Sequence, residues 1–415
     1  MTGNPAHVRT YRGAPVVRYT AHADPRVEEL VRKHLDRIVD AVSSRIAPKA
    51  MVLTGSFGRG EGSARIDSDR VQVISDYEVA VVTWKAWKRD QIVRLSEKLS
   101  KELDVEVSLF WVTPGRVKHN RMKNLSFGNP KPTRFMYDFK AGSTVLYGYV
   151  NLWKNRLTPS DIPPWEGLRM IFNRLGEFLF QVDREGFRRW VEGRDNGESL
   201  PIPKSLLSAM NALLVASGQF EPSTGNRLRS FLTHNAFDVN LDGLPEALKN
   251  AADHRVHGVP WLGVPLSTYR RFVFDSLRIL LQETFEFRLD DMAGFPSGFH
   301  PGKKFQCVAV QYEAGWLPVN QIAFERMIQT LKLRRAGLGH ELRRFKNNEL
   351  LPSIVMQSLI PGMVLLSENG SLKSILDGFE PSGFSLDDIV TQYSDDWDRW
   401  DAIRHLIYPL WKTIC

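Results

Sequence analysis

The amino-acid sequence predicts an α+β fold, with a small mixed sheet near the N-terminus and a mostly α-helical remainder. Three observations carry this. Short apolar runs at 51–54, 76–83 and 103–112 have the length and composition of strands. One amphipathic stretch, 24–46, precedes these runs and another, 88–102, separates the last two, which gives the order helix, strand, turn, strand, helix, strand. From about residue 160 onward the pattern is predominantly helical.

Residues 1–24 mix Gly, Pro, Arg and short apolar pieces and read as an N-terminal arm or one edge strand. The first helix begins after Asp24, a suitable N-cap, with Pro25 in its first turn. Val27, Leu30, Val31, Leu35, Ile38, Val39 and Val42 recur along it at helical spacing. Leu103-Asp-Val-Glu-Val-Ser-Leu-Phe-Trp-Val112 alternates as a strand and puts Asp104, Glu106 and Ser108 on one face. Residues 113–140 carry seven cations, Arg116 to Lys140, against the single acid Asp138, and read as a basic loop or lid. A short strand at 141–148 closes the first domain, over 25–150. The region 151–415 reads as a helical acceptor-binding or interaction domain. Its candidate helices are 164–184, 204–218, 242–252, 266–289, 319–346, 350–359, 371–378 and 385–413, with a Gly- and Pro-rich connection at 289–318.

Composition narrows the class. The 415 residues, 43% of them hydrophobic and 25% charged, suit a soluble globular protein with a sizeable core. A formal charge of +8 permits a polyanionic partner without requiring one. Cys307 and Cys415 are the two cysteines, which argues against a disulfide framework or a Cys-based zinc site. No stretch approaches the roughly 20 apolar residues of a membrane helix, and the start lacks a signal-type apolar core. The expected location is cytoplasmic, with no membrane partner.

The chemistry concentrates in Met51-Val-Leu-Thr-Gly-Ser-Phe-Gly-Arg-Gly-Glu-Gly62 and Ser75-Asp-Tyr-Glu-Val-Ala-Val-Val82. Asp76 and Glu78 stand two apart at the start of a strand, so their carboxylates leave on one face. Held so close they repel one another unless a cation lies between them, and hard oxygen ligands suit Mg²⁺. The Gly-rich turn offers bare backbone that can approach phosphates.

At these residues the chain resembles the nucleotidyltransferase superfamily typified by DNA polymerase beta. It is most similar to the minimal and antibiotic-modifying branches, whose pattern is Gly-Ser, a spacer, then acid-x-acid in an apolar strand. The resemblance covers about residues 25–150. It implies that Gly55 and Ser56 bind the triphosphate of an NTP, ATP being the first expectation. It also implies that Asp76 and Glu78 hold Mg²⁺, or Mn²⁺ in its place, with a third acid on a later strand completing the catalytic and metal site. That third acid is Glu106 or Asp104, with Glu106 preferred because Val105 and Val107 would bury it at mid-strand. Arg59, or a lysine of the basic loop, would steady the departing pyrophosphate.

The expected activity is transfer of a nucleoside monophosphate to a hydroxyl of an acceptor, which could be a small metabolite, a protein side chain, an RNA end or a second nucleotide. The alternative is a catalytically inactive nucleotide sensor or nucleic-acid-binding regulator on the same fold.

A second acid-x-acid pair, Asp67 and Asp69, lies nearer the Gly-Ser turn. Arg70 and Gln72 break the apolar run after that pair, whereas Val79-Ala-Val-Val82 is unbroken after Glu78. Residues 64–74 are therefore expected to be a hairpin insertion. The cluster Lys332, Arg334, Arg335, Arg343, Arg344 and Lys346 reads as a solvated helix face. Arg335 and His340 have a spacing seen in helical ribonucleases, but two glycines between them disfavour a helix.

Overall fold

The computed structural model describes residues 18–22, 24–66, 70–120, 133–152, 156–182, 184–198, 200–234, 237, 239, 241–286 and 288. It also describes 334, 392, 395, 398–399, 401–402, 404–405 and 408–409. Helix α1 spans Pro25–Ile46 and starts as the sequence indicates, with the Asp24 side chain accepting from the Arg26 amide at 2.8 Å. Its buried stripe of Val27, Val31, Leu35, Ile38, Val42 and Ile46 follows the helical period. It stops at Ala47, in the left-handed region at φ 49°, whose amide closes on the Ser43 carbonyl.

Strand β1 (Ala50–Leu53) runs into a single helical turn, α2 (Gly55–Gly58). Strands β2 (Ala64–Ile66) and β3 (Val71–Val73) pair antiparallel, so the expected insertion is a hairpin. Asp67 and Asp69 lie outside the described residues. Strand β4 (Tyr77–Val82), helix α3 (Arg89–Leu103) and strand β5 (Val107–Val112) come next. Helices α4 (Pro114–Lys118) and α5 (Arg134–Ala141) precede strand β6 (Thr144–Gly148). The expected loop at 113–140 is thus helical at both described ends. Thr113 and Thr133 nucleate the two helices by accepting from the amides of Arg116 and Met136.

Four strands form one sheet in the order β5-β4-β1-β6, with β4 and β5 parallel and the other two pairs antiparallel. Alternation sorts its residues onto two faces. Met51, Leu53, Tyr77, Val79, Val81, Val107 and Leu109 pack with Val31, Leu35 and Ile38 of α1 and with Ile92, Leu95 and Leu99 of α3. Ala50, Val52, Ala80, Val82 and Val112 belong instead to a core shared with the helices C-terminal to the sheet.

Those helices are α6 (Pro164–Gln181), α7 (Arg184–Val191), α8 (Ile202–Ala216), α9 (Thr224–His234), α10 (Leu244–His257) and α11 (Leu266–Phe285). Helix α8 is buried along most of its length, consistent with apolar residues on nearly every side. Four of the six match candidates read from the sequence. Helix α7 is only eight residues long and α9 opens on the poor helix formers Gly225 and Asn226, and neither is among those candidates. Scattered described positions between 392 and 409 are helical. The other candidates beyond 288, with Lys332, Arg335, His340, Cys307 and Cys415, lie outside the described residues. No helix among the described residues is long and apolar enough to cross a membrane.

One contact seats the helices on the Gly-rich turn. The Glu61 carboxylate accepts from the Thr224 amide at 2.6 Å and from the Thr224 hydroxyl at 2.9 Å, at the start of α9. Arg59 lies 3.3 Å away, and the two side chains are 11% and 12% exposed. Burial works against the charge of Glu61, but Arg59, Thr224, Arg227 and Ser223 outweigh it and hold its pKa below the usual glutamate range. A depressed carboxylate pKa contributes stability that is present above the ordinary range and lost as pH falls through the lowered value. Replacing Glu61 by Gln is therefore expected to cost about 2–3 kcal/mol near neutral pH. Urea unfolding followed from pH 7 down to pH 3 should show the difference from wild type shrinking with acid.

Candidate active site at the Gly-Ser turn

The site starts from a backbone constraint. Gly55 has φ +65°, and a Cβ there would lie 2.1 Å from Oε2 of Glu78. The carboxylate of the strand therefore sits against the bare α-carbon of the turn. Only glycine combines the left-handed conformation with that close approach. The neighbouring Thr54 amide donates to the Glu78 carbonyl at 2.8 Å, which locks the end of β1 to the start of β4. The amides of Gly55, Ser56 and Phe57 and the hydroxyl of Ser56 have no acceptor among the described residues, as expected for the first turn of a helix. Behind the turn, Phe57 stacks on Tyr77 with ring centroids 4.5 Å apart and fixes the floor.

Asp76 and Glu78 share the parity of Ala80 and Val82, so they leave the sheet on the side of the helices. Glu78 is half-buried. Burial raises its pKa, Asp76 and Asp138 add to the rise, and Arg59 and Arg134 oppose it. Burial is the larger cause and the neighbouring Asp76 the next.

The third acid is not where its expected burial would put it. Strand β5 begins at Val107, and Glu106 precedes it as an exposed residue. Its carbonyl accepts from the Tyr77 amide at 2.9 Å, and the β4–β5 register extended by one residue sets Glu106 opposite Asp76. Position and parity thus agree with the expectation, while burial does not. Asp104 is not on a strand at all. It caps α3 in the left-handed region at φ 51° and faces Arg70 at 3.8 Å. Glu78 itself pairs with Ser108 across the sheet. No three His, Cys, Asp or Glu side chains among the described residues lie together as a set that could hold a metal ion.

Around the acid pair the fold gathers side chains from distant segments. Arg134 and Asp138, one turn apart on α5, form an ion pair at 2.9 Å, and the second carboxylate oxygen of Asp138 is buried with no hydrogen-bond partner among the described residues. The Arg134 amide donates to Glu166 of α6 at 3.0 Å, which anchors α5 on the helical side. Arg227 of α9 is buried, with its guanidinium 4.7 Å over the Phe220 ring and bonded to the carbonyls of Pro222 and Ser223. Desolvation lowers its pKa to about 10, against the pull of Asp138 and Glu61. Arg255 of α10 is exposed to solvent. Desolvation, Arg174 and Arg59 lower its pKa, while Glu61 and Asp76 raise it, which puts it within electrostatic reach of the acid pair.

The predicted residues Gly55, Ser56, Arg59, Asp76 and Glu78 therefore belong to one cluster, and Glu106 lies at its edge. Asp138, Arg227 and Arg255 were not expected there. The i,i+4 spacing of Arg134 and Asp138 was a readable signal of an ion pair. Arg227 and Arg255 had none, because they arrive through helices that pack from far along the chain. Compared with family models, curated proteins and solved structures, the chain matches none of them.

Two outcomes test the geometry. Gly55→Ala should displace the Glu78 carboxylate and cost about 1–2 kcal/mol for the left-handed conformation alone, read as a lowered urea midpoint. Glu78→Gln should stabilise the metal-free protein. The raised pKa means that the folded state binds the Glu78 proton more tightly than the unfolded chain. Stability therefore falls as pH rises from the ordinary glutamate range through the raised value. The variant's Tm is expected to equal that of wild type at pH 4 and to exceed it by roughly 1–3 °C at pH 8 in calorimetry.

Proposed function

We propose that this chain is a Mg²⁺-dependent nucleotidyltransferase that moves a nucleoside monophosphate from an NTP to a hydroxyl of an acceptor and releases pyrophosphate. The observation that carries this reading is the contact between the Glu78 carboxylate and the left-handed Gly55, which sets an acid pair directly against a turn with free amides. A phosphate chain lying on that turn would meet N–H groups on one side and carboxylates on the other. Such an arrangement binds anions where a cation can bridge them.

The roles derive from the positions. Gly55 lets the phosphates approach the backbone, and Ser56 offers an amide and a hydroxyl. Arg59 is tied to Glu61, so it holds the turn and supplies positive charge to departing phosphate oxygens. Asp76 and Glu78 would hold the metal, and their crowding fits a hard divalent ion whose remaining ligands are water and phosphate oxygens. Bound there, the ion would offset the charge that builds on the entering and leaving oxygens. Glu106 beside Asp76 would join them by a change of side-chain rotamer, from which it could also accept the proton of the acceptor hydroxyl. ATP is the first substrate to test, and a cytoplasmic location accords with the reading.

The exposure of Glu106 favours one second reading, a nucleotide sensor that binds NTP and metal at the same turn without turnover. The two separate cleanly. Pyrophosphate release is expected with at least one NTP and Mg²⁺ or Mn²⁺, lost in Asp76→Asn and reduced at least about 100-fold in Glu106→Gln. Millimolar Mg²⁺ with a non-hydrolysable NTP should raise the Tm of wild type and leave that of Asp76→Asn unchanged. A Tm rise without release, across many acceptors, would establish the sensor. Neither response would remove the nucleotide site.

A further inference from the structure

A second surface lies at the other end of β4, away from the acid pair. The strand carries the chain on the order of 20 Å from Glu78 to Trp84. There Trp84 and Trp87 are 64% and 78% exposed, among the most exposed large apolar side chains described. Two lysines fix the turn that bears them. Lys85 donates to the carbonyls of Ile46 and Ala47 at 3.2 and 3.4 Å, and Lys88 to that of Arg45 at 2.6 Å. These contacts cover the negative end of α1 with positive charge.

Arg45, Arg94 and Lys98 stand beside Trp87, and Arg89 follows it by two residues in the chain, all exposed and none ion-paired among the described residues. A groove of about 530 Å³ runs between Arg45, Trp87, Lys88, Asp90, Arg94 and Lys98. Trp84 lies against Gly115 of α4, where an added Cβ would come within 3.3 Å of its ring. Next to it the Arg116 guanidinium stacks 5.2 Å over Trp111, whose Nε1 donates to the Thr83 carbonyl.

We infer that this surface binds single-stranded nucleic acid, with bases stacking on Trp84 and Trp87 and the phosphates meeting Arg45, Arg89, Arg94 and Lys98. Exposed aromatic faces beside a group of cations are what sequence-tolerant single-strand binding requires. A bilayer would ask for a continuous apolar face. Helix α3 instead exposes Asp90 and Glu97 beside its cations, and Val93 is its one exposed large apolar side chain besides the two indoles that precede it. The assignment uses no residue of the acid pair and stands apart from the transfer chemistry.

The test is fluorescence anisotropy of a labelled 20-mer oligouridylate with the full chain over a series of salt concentrations. Saturable binding is expected, with log K falling linearly in log salt. Trp87→Ala should weaken it about tenfold at an unchanged salt slope, and Trp87→Phe should recover most of the loss. The double variant Arg94→Glu, Lys98→Glu should weaken binding and flatten the slope. Asp76→Asn should bind as wild type does, which separates this surface from the proposed active site. Unchanged thermal melts of the variants, followed by circular dichroism, exclude misfolding as the cause. The inference is overturned if no saturable binding occurs, or if Trp87→Ala and the charge variant bind as wild type. It is equally overturned if those variants lose binding to phosphatidylserine vesicles while oligouridylate binding is unaffected.

Discussion

Much of the site depends on one missing carbon atom. Gly55 adopts a left-handed conformation, and the space its side chain would fill is occupied by the Glu78 carboxylate. Because β1 and β4 pair antiparallel, the turn after β1 and the acids before β4 meet at one end of the sheet. The Thr54 amide bonded to the Glu78 carbonyl makes that meeting rigid. A turn that presents amides and a strand that presents carboxylates are common features separately. Their direct contact turns two local motifs into one site.

The electrostatics of the cluster reflect how closely it is packed. The pKa of Glu78 rises because it is half-buried beside Asp76, while that of Glu61, buried nearby, falls because Arg59, Thr224 and Arg227 surround it. Like residues thus take opposite shifts from their neighbours. Glu61 serves architecture by tying the turn to α9. Glu78 is pushed the other way, first by its own burial and then by Asp76, which costs stability above the ordinary glutamate range. The arginines of α5, α9 and α10 complete a surround in which cations and carboxylates interleave.

Much of this was legible from local pattern. The first helix, its cap, the hairpin at 64–74 and the strand bearing Asp76 and Glu78 could be read because side-chain period and turn chemistry are properties of a few consecutive residues. The third acid shows where such reading fails. Alternation through Val105-Glu-Val107 suggested a buried mid-strand position, but Asp104 takes the left-handed cap of α3 and delays the strand until Val107. A helix end competed with a strand start for the same residues, and the helix won. Helices α7 and α9 were missed for another reason: α7 has only eight residues, with Phe187 and Trp190 as its buried anchors, and α9 opens on Gly225 and Asn226.

The sequence by itself indicated a mixed helix-and-sheet chain, the Gly-Ser turn, the paired acids and the helical pattern of the described residues 164–285, since each is written in short-range order. Only the tertiary structure decided that Glu78 lies against Gly55, that Arg227 comes within electrostatic reach of Glu61, 166 positions earlier, and that Trp87 stands exposed beside Arg45, Arg94 and Lys98. The physical reason is the range of the interactions. Propensity and periodicity act within a few residues. Contact between a turn and a helix far along the chain is set by how apolar faces bury one another, and that burial in turn places each charged side chain.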